Sequence, residues 1–296
     1  MLKKLSELFG PKKPGASRPR RSLVNLKRRF TIIAEAGQGS MSKVYRAIDN
    51  QAGRTVCLKV QNPDKNAAAA SRSAKQERPS EGEVGMKITH SNVVRTYDWG
   101  ESTLHEHFVV MEFIEGVSLQ FIRQAHSTTI TEKLELLAQA AEGLAAVHAA
   151  GFIHRDIGPQ NFLINRGRQV KLIDFGLSVP NTPAFRRPGN RTGTLQYMAP
   201  ELIRREPTDE RLDIFSFGVM AFELLTGRQP YDAEVTDSMA VMLQRINTSP
   251  LDPALANPTL SESLCDILRK LIARHPDDRW RSTRNLAEVF RSSIPA

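Results

Sequence analysis

Cysteine is scarce: Cys57 and Cys265 are the only two in 296 residues. Two thiols make no disulfide framework, and their separation matches no metal-site spacing. A reducing, intracellular setting is therefore expected. Long apolar runs are missing as well. A bilayer span needs about 20 consecutive apolar residues, and the best stretch, Gly218 to Leu225, is interrupted by Glu223. The N-terminus lacks the unbroken apolar segment of a secretory signal. A cytoplasmic protein with no transmembrane segment is the expectation. Acidic residues are almost absent from the first 29 positions, which hold ten Lys or Arg against Glu7 alone. The whole chain carries a net charge of +9, so residues 30–296 sum to zero. The basic balance belongs to a tail, and the body has no charge argument for binding nucleic acid.

What is present falls into parts. Residues 10–21 combine Gly10, Pro11, Pro14, Gly15 and Pro19 with basic residues, the composition of a flexible linker. Leu2, Leu5, Leu8 and Phe9 beside Lys3 and Lys4 make a short amphipathic turn suited to a membrane surface or a protein partner, but so short a helix is marginal alone and a disordered tail is the favoured expectation. From Phe30, short β-type runs follow at 30–33, 43–47 and 55–60, then at 93–99 and 107–113, separated by polar or Gly-containing turns. After Gly116 the period becomes helical. Leu134, Leu137, Ala138, Ala141, Leu144, Ala145 and His148 share one face, and Gly151 stands where that helix stops. Further helices are expected over 209–226, 235–247, 260–273 and 283–292. A small strand-rich half and a larger helical half imply two lobes with a cleft between them.

Chemistry concentrates in His154-Arg155-Asp156-Ile157-Gly158-Pro159-Gln160-Asn161 and Asp174-Phe175-Gly176. They supply a carboxylate, an amide and a second carboxylate in the pattern of a phosphoryl-transfer site. Asp156 suits the acceptor of a substrate hydroxyl proton, and Asn161 and Asp174 suit magnesium ligands. Gly37-Gln38-Gly39 through Val44 lies between two strand-like runs, not between a strand and a helix. That placement argues against a dinucleotide fold and for a loop whose backbone approaches phosphates. Lys59, one strand on, reaches α- and β-phosphates if a carboxylate holds it. Glu81 is the first choice, with Glu83 and Glu77 as alternatives.

In this order and spacing the motifs resemble the eukaryotic-type protein kinase family, in particular bacterial serine/threonine protein kinases, over about residues 30–292. The resemblance implies an α+β, bilobal protein-kinase-like fold. A small antiparallel β-sheet N-lobe with one helix (about 30–111) would join, through a hinge at 112–116, a larger mainly α-helical C-lobe (117–296). Residues 1–29 would be a basic flexible tail. It further implies the cofactors ATP and Mg2+, protein substrates and transfer of the γ-phosphoryl group to Ser or Thr hydroxyls, autophosphorylation included. Asp156, Lys59, Glu81, Asn161 and Asp174 would be catalytic, with Asn161 and Asp174 on the metal. Gly37, Gln38, Gly39, Val44, Cys57, Lys59, Met111, Glu112, Ile114 and Leu163 would bind the nucleotide. Met111 matches the gatekeeper and Glu112 and Ile114 the adenine-binding backbone. Arg155 would pair with a phosphorylated activation segment, whose candidate acceptors are Ser178, Thr182 and Thr192. Gly193-Thr194 resembles the serine/threonine type, in which the threonine steadies the catalytic aspartate. Glu201 with Arg279, and Asp213 with the backbone near Arg155, match structural ties.

Two features depart from the family pattern. Gly158 stands where a lysine is expected, and position 160 is Gln rather than Arg. The alternative reading is therefore a pseudokinase, a nucleotide- or partner-binding scaffold. Pro79, Gly82 and Gly85 also make the Glu81 segment a weak helix former.

Overall fold

The computed structural model describes residues 22–38, 42–61, 78–125, 128–188, 191–231 and 238–294. Five antiparallel strands build the small lobe: β1 (Phe30–Gln38), β2 (Ser42–Asp49), β3 (Arg54–Gln61), β4 (Thr96–Glu101) and β5 (His107–Glu112). Their order across the sheet is β1-β2-β3-β5-β4. Along β3 the two-residue alternation decides which face each side chain serves. Val56 and Leu58 join Phe30, Ala47, Phe108 and Val110 in one apolar cluster. Cys57 and Lys59 therefore take the opposite face, and Cys57 packs against the large core that extends into the second lobe.

The lobe begins earlier than the sequence suggested. The backbone of Val24 bonds to Glu101 and Thr103, and a short helix α1 (Leu26–Arg29) follows, capped by Asn25. Arg29 reaches Asp49 at 2.9 Å and Asp98 at 2.6 Å. Residues 22–29 are thus part of the lobe, a correction to the expected tail of 1–29. Counting cations alone missed that Arg29 has two carboxylates waiting for it 20 and 69 positions on. The amphipathic turn at Leu2–Phe9 and the linker at 10–21 lie outside the described residues. Asp49 is almost fully buried, so removing its cation strands a charge. Arg29→Ala is expected to lower unfolding stability by about 3 kcal/mol, read from urea denaturation.

One short helix, α2 (Glu81–Gly85), carries Glu81. Ser80 and Glu83 form a reciprocal capping box, with Ser80 N donating to Glu83 Oε2 at 2.7 Å. The glycines that weaken this segment as a helix let it lie directly on β4. A Cβ on Gly82 would fall 2.2 Å from Trp99 Cβ, and one on Gly85 would fall 2.2 Å from Thr96 Oγ1.

Beyond Glu112 the chain crosses to the large lobe and forms β6 (Gly116–Ser118), α3 (Leu119–Ala125) and α4 (Ile130–Ala149). The expected face of α4, from Leu134 to Leu144, is buried. Short strands missed by periodicity follow: β7 (Phe152–Ile153), β8 (Phe162–Asn165), β9 (Val170–Leu172) and β10 (Val179–Pro180). They pair as β6-β8-β9 and β7-β10, and so clamp both ends of the 154–161 loop. Helices α5 (Pro200–Arg204), α6 (Arg211–Thr226), α7 (Ser238–Asn247), α8 (Pro253–Ala256), α9 (Glu262–Leu271) and α10 (Leu286–Ser292) complete the lobe. Fourteen of the sixteen residues of α6 are buried, among them Asp213 and Glu223. A helix apolar on all sides belongs at the centre of a lobe, and its two acids must find partners there. No helix among the described residues is long and apolar enough to cross a membrane.

Candidate active site

Lys59 comes from the cleft face of β3, Glu81 from α2 and Asp174 from the turn after β9. They meet around one ammonium: Lys59 Nζ lies 2.8 Å from Glu81 Oε1 and 3.0 Å from Asp174 Oδ1. Of the alternatives, Glu83 is committed to capping α2, and Glu77 lies outside the described residues. Burial alone pulls the Lys59 pKa down, but the two carboxylates outweigh it and raise it above the ordinary lysine value. Burial likewise pushes Asp174 up, yet Lys59 and the Gly176 N–H hold it below the usual carboxylate range. A lysine whose folded pKa is raised contributes stability that is complete below its unfolded value, about 10.4. That contribution fades only as pH climbs through the raised value. The stability difference between wild type and Lys59→Met is therefore expected to stay constant from about pH 7 to 10 and shrink above. Thermal melts across that range check it.

Asp174 has a left-handed φ of 65°, a region uncommon for residues other than glycine though more open to aspartate than to most. Two contacts hold it there. Gly176 N donates to Oδ1 at 2.9 Å, and Phe175 is buried edge-on against the His154 ring, with centroids 5.6 Å apart. Arg155, φ 69°, is held the same way. The buried carboxylate of Asp213 in α6 accepts His154 N at 2.7 Å, Arg155 N at 2.8 Å and His148 Nε2 at 2.9 Å.

Asp156 sits between two donors. Asn161 Nδ2 bonds its carbonyl at 2.7 Å and its Oδ2 at 3.1 Å. Thr194 bonds Oδ1 with both its backbone N–H and its hydroxyl, each at 2.9 Å. Thr194 gets this close because Gly193 precedes it. Gly193 has φ 101°, and a Cβ there would fall 2.5 Å from the Arg155 carbonyl.

The donor set suits a magnesium–nucleotide. Hard cations take oxygen ligands, and Mg2+ in such sites uses one or two protein oxygens beside phosphates and water. Asn161 spends its Nδ2 on Asp156, which leaves Oδ1 as a ligand. Asp174 gives Oδ1 to Lys59 and Gly176, which leaves Oδ2, on a side chain 41% exposed to the cleft. Among the described residues no group of three or more His, Cys, Asp or Glu could hold a metal alone.

Several of the residues expected around a base lie on the Lys59 strand or on the strands paired with it. Val44 pairs with Gly37 on one side and Lys59 on the other, and Gln38 pairs with Lys43. Gly39 lies outside the described residues. Cys57 pairs with Met111, and burial pushes its thiol up to about 11, so it behaves as an apolar group. Glu112 ends β5, where its carboxylate takes Lys171 at 2.8 Å and its N–H bonds Arg95. Ile114 follows in the crossing, and Leu163 is half-buried on β8.

Three activation-segment acceptors were expected and they differ sharply. Ser178 is fully buried, with its hydroxyl on the His154 carbonyl, and is corrected to a structural residue. Thr192 has a buried hydroxyl without a partner among the described residues, and Thr182 is exposed. Arg155 donates Nη2 to the Phe185 carbonyl at 2.7 Å, and its buried Nε takes no partner among the described residues. Sequence reasoning missed Glu223, which binds Arg123 and takes the Tyr197 hydroxyl at 2.7 Å beside the Thr194 segment. An acid within an apolar helical run was the available signal. It also missed what Gln160 does.

Comparison with known proteins agrees with this geometry. A family model described as "Protein kinase domain" matches residues 30–290. The probable serine/threonine-protein kinase pknA2 of Bifidobacterium longum is 32% identical over 253 residues, covering 85% of this chain and 33% of its own length. Serine/threonine-protein kinase pkn2 of Myxococcus xanthus is 34% identical over 277 residues, 90% of this chain and 33% of that protein. Serine/threonine-protein kinase PknB of Mycobacterium tuberculosis is 29% identical over 275 residues, 88% and 42%. The chain thus spans about a third of the length of the first two relatives. The scaffold alternative rests on Gly158 and Gln160, while Lys59, Glu81 and Asp174 meet in one cluster, Asp156, Asn161 and Thr194 in another, and these relatives are named kinases. It is set aside.

Proposed function

The chain belongs to the protein kinase domain family, and from that premise we propose that it is a cytoplasmic serine/threonine protein kinase acting on protein substrates. The observation that carries the reading is the double hold on Asp156. Asn161 takes one carboxylate oxygen and Thr194 the other, which aims the group as a proton acceptor. Bound MgATP supplies the electrophilic γ-phosphoryl group and the cation that neutralises its charge. Lys59, fixed by Glu81, orients the α- and β-phosphates. Asn161 Oδ1 and Asp174 would hold the metal. Val44, Cys57, Met111 and Leu163 would enclose the base, and the backbone at Glu112 and Ile114 would bond it. Asp156 accepts the hydroxyl proton as the new P–O bond forms and the bond to the leaving diphosphate breaks. Positioning and charge neutralisation do the work, with no covalent enzyme intermediate.

A mixed library of Ser-, Thr- and Tyr-containing peptides incubated with radiolabelled ATP and magnesium tests the assignment. Label on Ser and Thr peptides is expected. Label on Tyr peptides alone, or hydrolysis without peptide labelling, would overturn it.

A further inference from the structure

Gly158 is not there for conformational freedom. Its backbone is extended, φ −169° and ψ 162°, a region open to every residue. What a side chain there would meet is a neighbour. An ideal Cβ on Gly158 would lie 2.6 Å from Gln160 Oε1, 2.7 Å from Nε2 and 3.0 Å from Cδ, and these are its three nearest atoms. The Gln160 carboxamide therefore lies folded back over the bare backbone of residue 158. From there its Nε2 donates to Thr194 Oγ1 at 3.0 Å, and the same hydroxyl donates to Asp156 Oδ1 at 2.9 Å.

A hydroxyl has one proton to give. With an N–H of Gln160 directed at its oxygen, the Thr194 proton is turned to Asp156. The Gln160 NH2 keeps a second N–H that takes no partner among the described residues. We infer that Gly158 and Gln160 act as one unit, in which the Gln160 carboxamide fills the place of the expected lysine. It fixes Asp156 through Thr194 and offers a neutral N–H to an oxygen of the group in transfer. The inference rests on the kinase reading and names the positioning residue of that same site. It also gives glycine at 158 a physical reason, since a Cβ there requires the carboxamide to shift from its place beside Thr194.

Four proteins test it: wild type, Gly158→Ala, Gln160→Ala and the double variant, each assayed for peptide phosphorylation. Each single change is expected to lower kcat by about tenfold to a hundredfold with KM for ATP unchanged. The double variant is expected to be no slower than the worse single one, because both remove the same contact. Gln160→Glu, which keeps the volume but brings an anion against Asp156, is expected to lose at least as much as Gln160→Ala. A residue that merely filled space would tolerate it. Wild-type kcat in Gln160→Ala, or a double-variant loss equal to the product of the single losses, overturns the inference and leaves the kinase reading intact. Absence of transfer by the wild type removes that reading and the inference with it.

Discussion

Asp156→Asn is expected to abolish nearly all peptide phosphorylation while leaving the fold and nucleotide binding in place. The substitution keeps size and planarity but exchanges a proton acceptor for an amide. General base catalysis contributes about 10²- to 10⁴-fold, so kcat should fall within that range. The surroundings reinforce the point: three donors converge on the two carboxylate oxygens, two from Thr194 and one from Asn161. An amide offers only one accepting oxygen to them, so one donor loses its partner. Because Asp156 touches none of Lys59, Glu81 and Asp174 in the observed geometry, KM for ATP should change little. Steady-state kinetics on a peptide substrate, with a nucleotide-binding titration beside them, separate the two effects. A variant that keeps wild-type kcat would remove Asp156 from the chemistry.

Arg279→Ala is expected to produce the largest loss of stability. The Arg279 side chain is fully buried and pairs with Glu201 through two contacts, at 2.7 and 2.8 Å. Its remaining N–H groups go to the carbonyls of Ala273, Arg211 and Arg274, so all five donors of the guanidinium are used. Alanine would leave Glu201, itself buried, as an unpaired charge, and three carbonyls would lose a donor. Breaking a buried pair from one side costs about 3–5 kcal/mol. The pair ties α5, which follows the Thr194 segment, to the turn before α10. Partial unfolding should therefore begin at the Thr194 segment, where hydrogen exchange would quicken first. Chemical denaturation measures the total, and a loss below about 1 kcal/mol would contradict this account of the tie.

How much of this was legible beforehand depends on how local each feature is. The alternation along β3 assigns Lys59 to the cleft without any structure, because a two-residue period fixes the face. The order of motifs singled out Asp156, Asn161 and Asp174; in the fold Asp156 is bonded by Asn161 and Thr194, and Asp174 meets Lys59 beside Glu81. Features created by approach of distant backbone were not legible. Residues 22–29 read as tail, because the carboxylates that bind Arg29 come from β2 and β4. Gly82 and Gly85 read as weakness in a helix, whereas they are the contact surface that seats α2 on β4. Gly158 read as a gap in the site. Only the folded loop shows the Gln160 carboxamide lying in that gap, two residues away in sequence and bonded to a threonine 34 positions on. Glu223 read only as an interruption of an apolar run, until Arg123 and Tyr197 closed on it.

The most direct measurement is peptide-mapping mass spectrometry of the purified full chain after incubation with MgATP, beside the Asp156→Asn protein treated identically. The account predicts phosphate on serine or threonine side chains in the first and none in the second. Phosphate on neither protein, with MgATP shown to be bound and Ser and Thr peptides left unmodified, would contradict it.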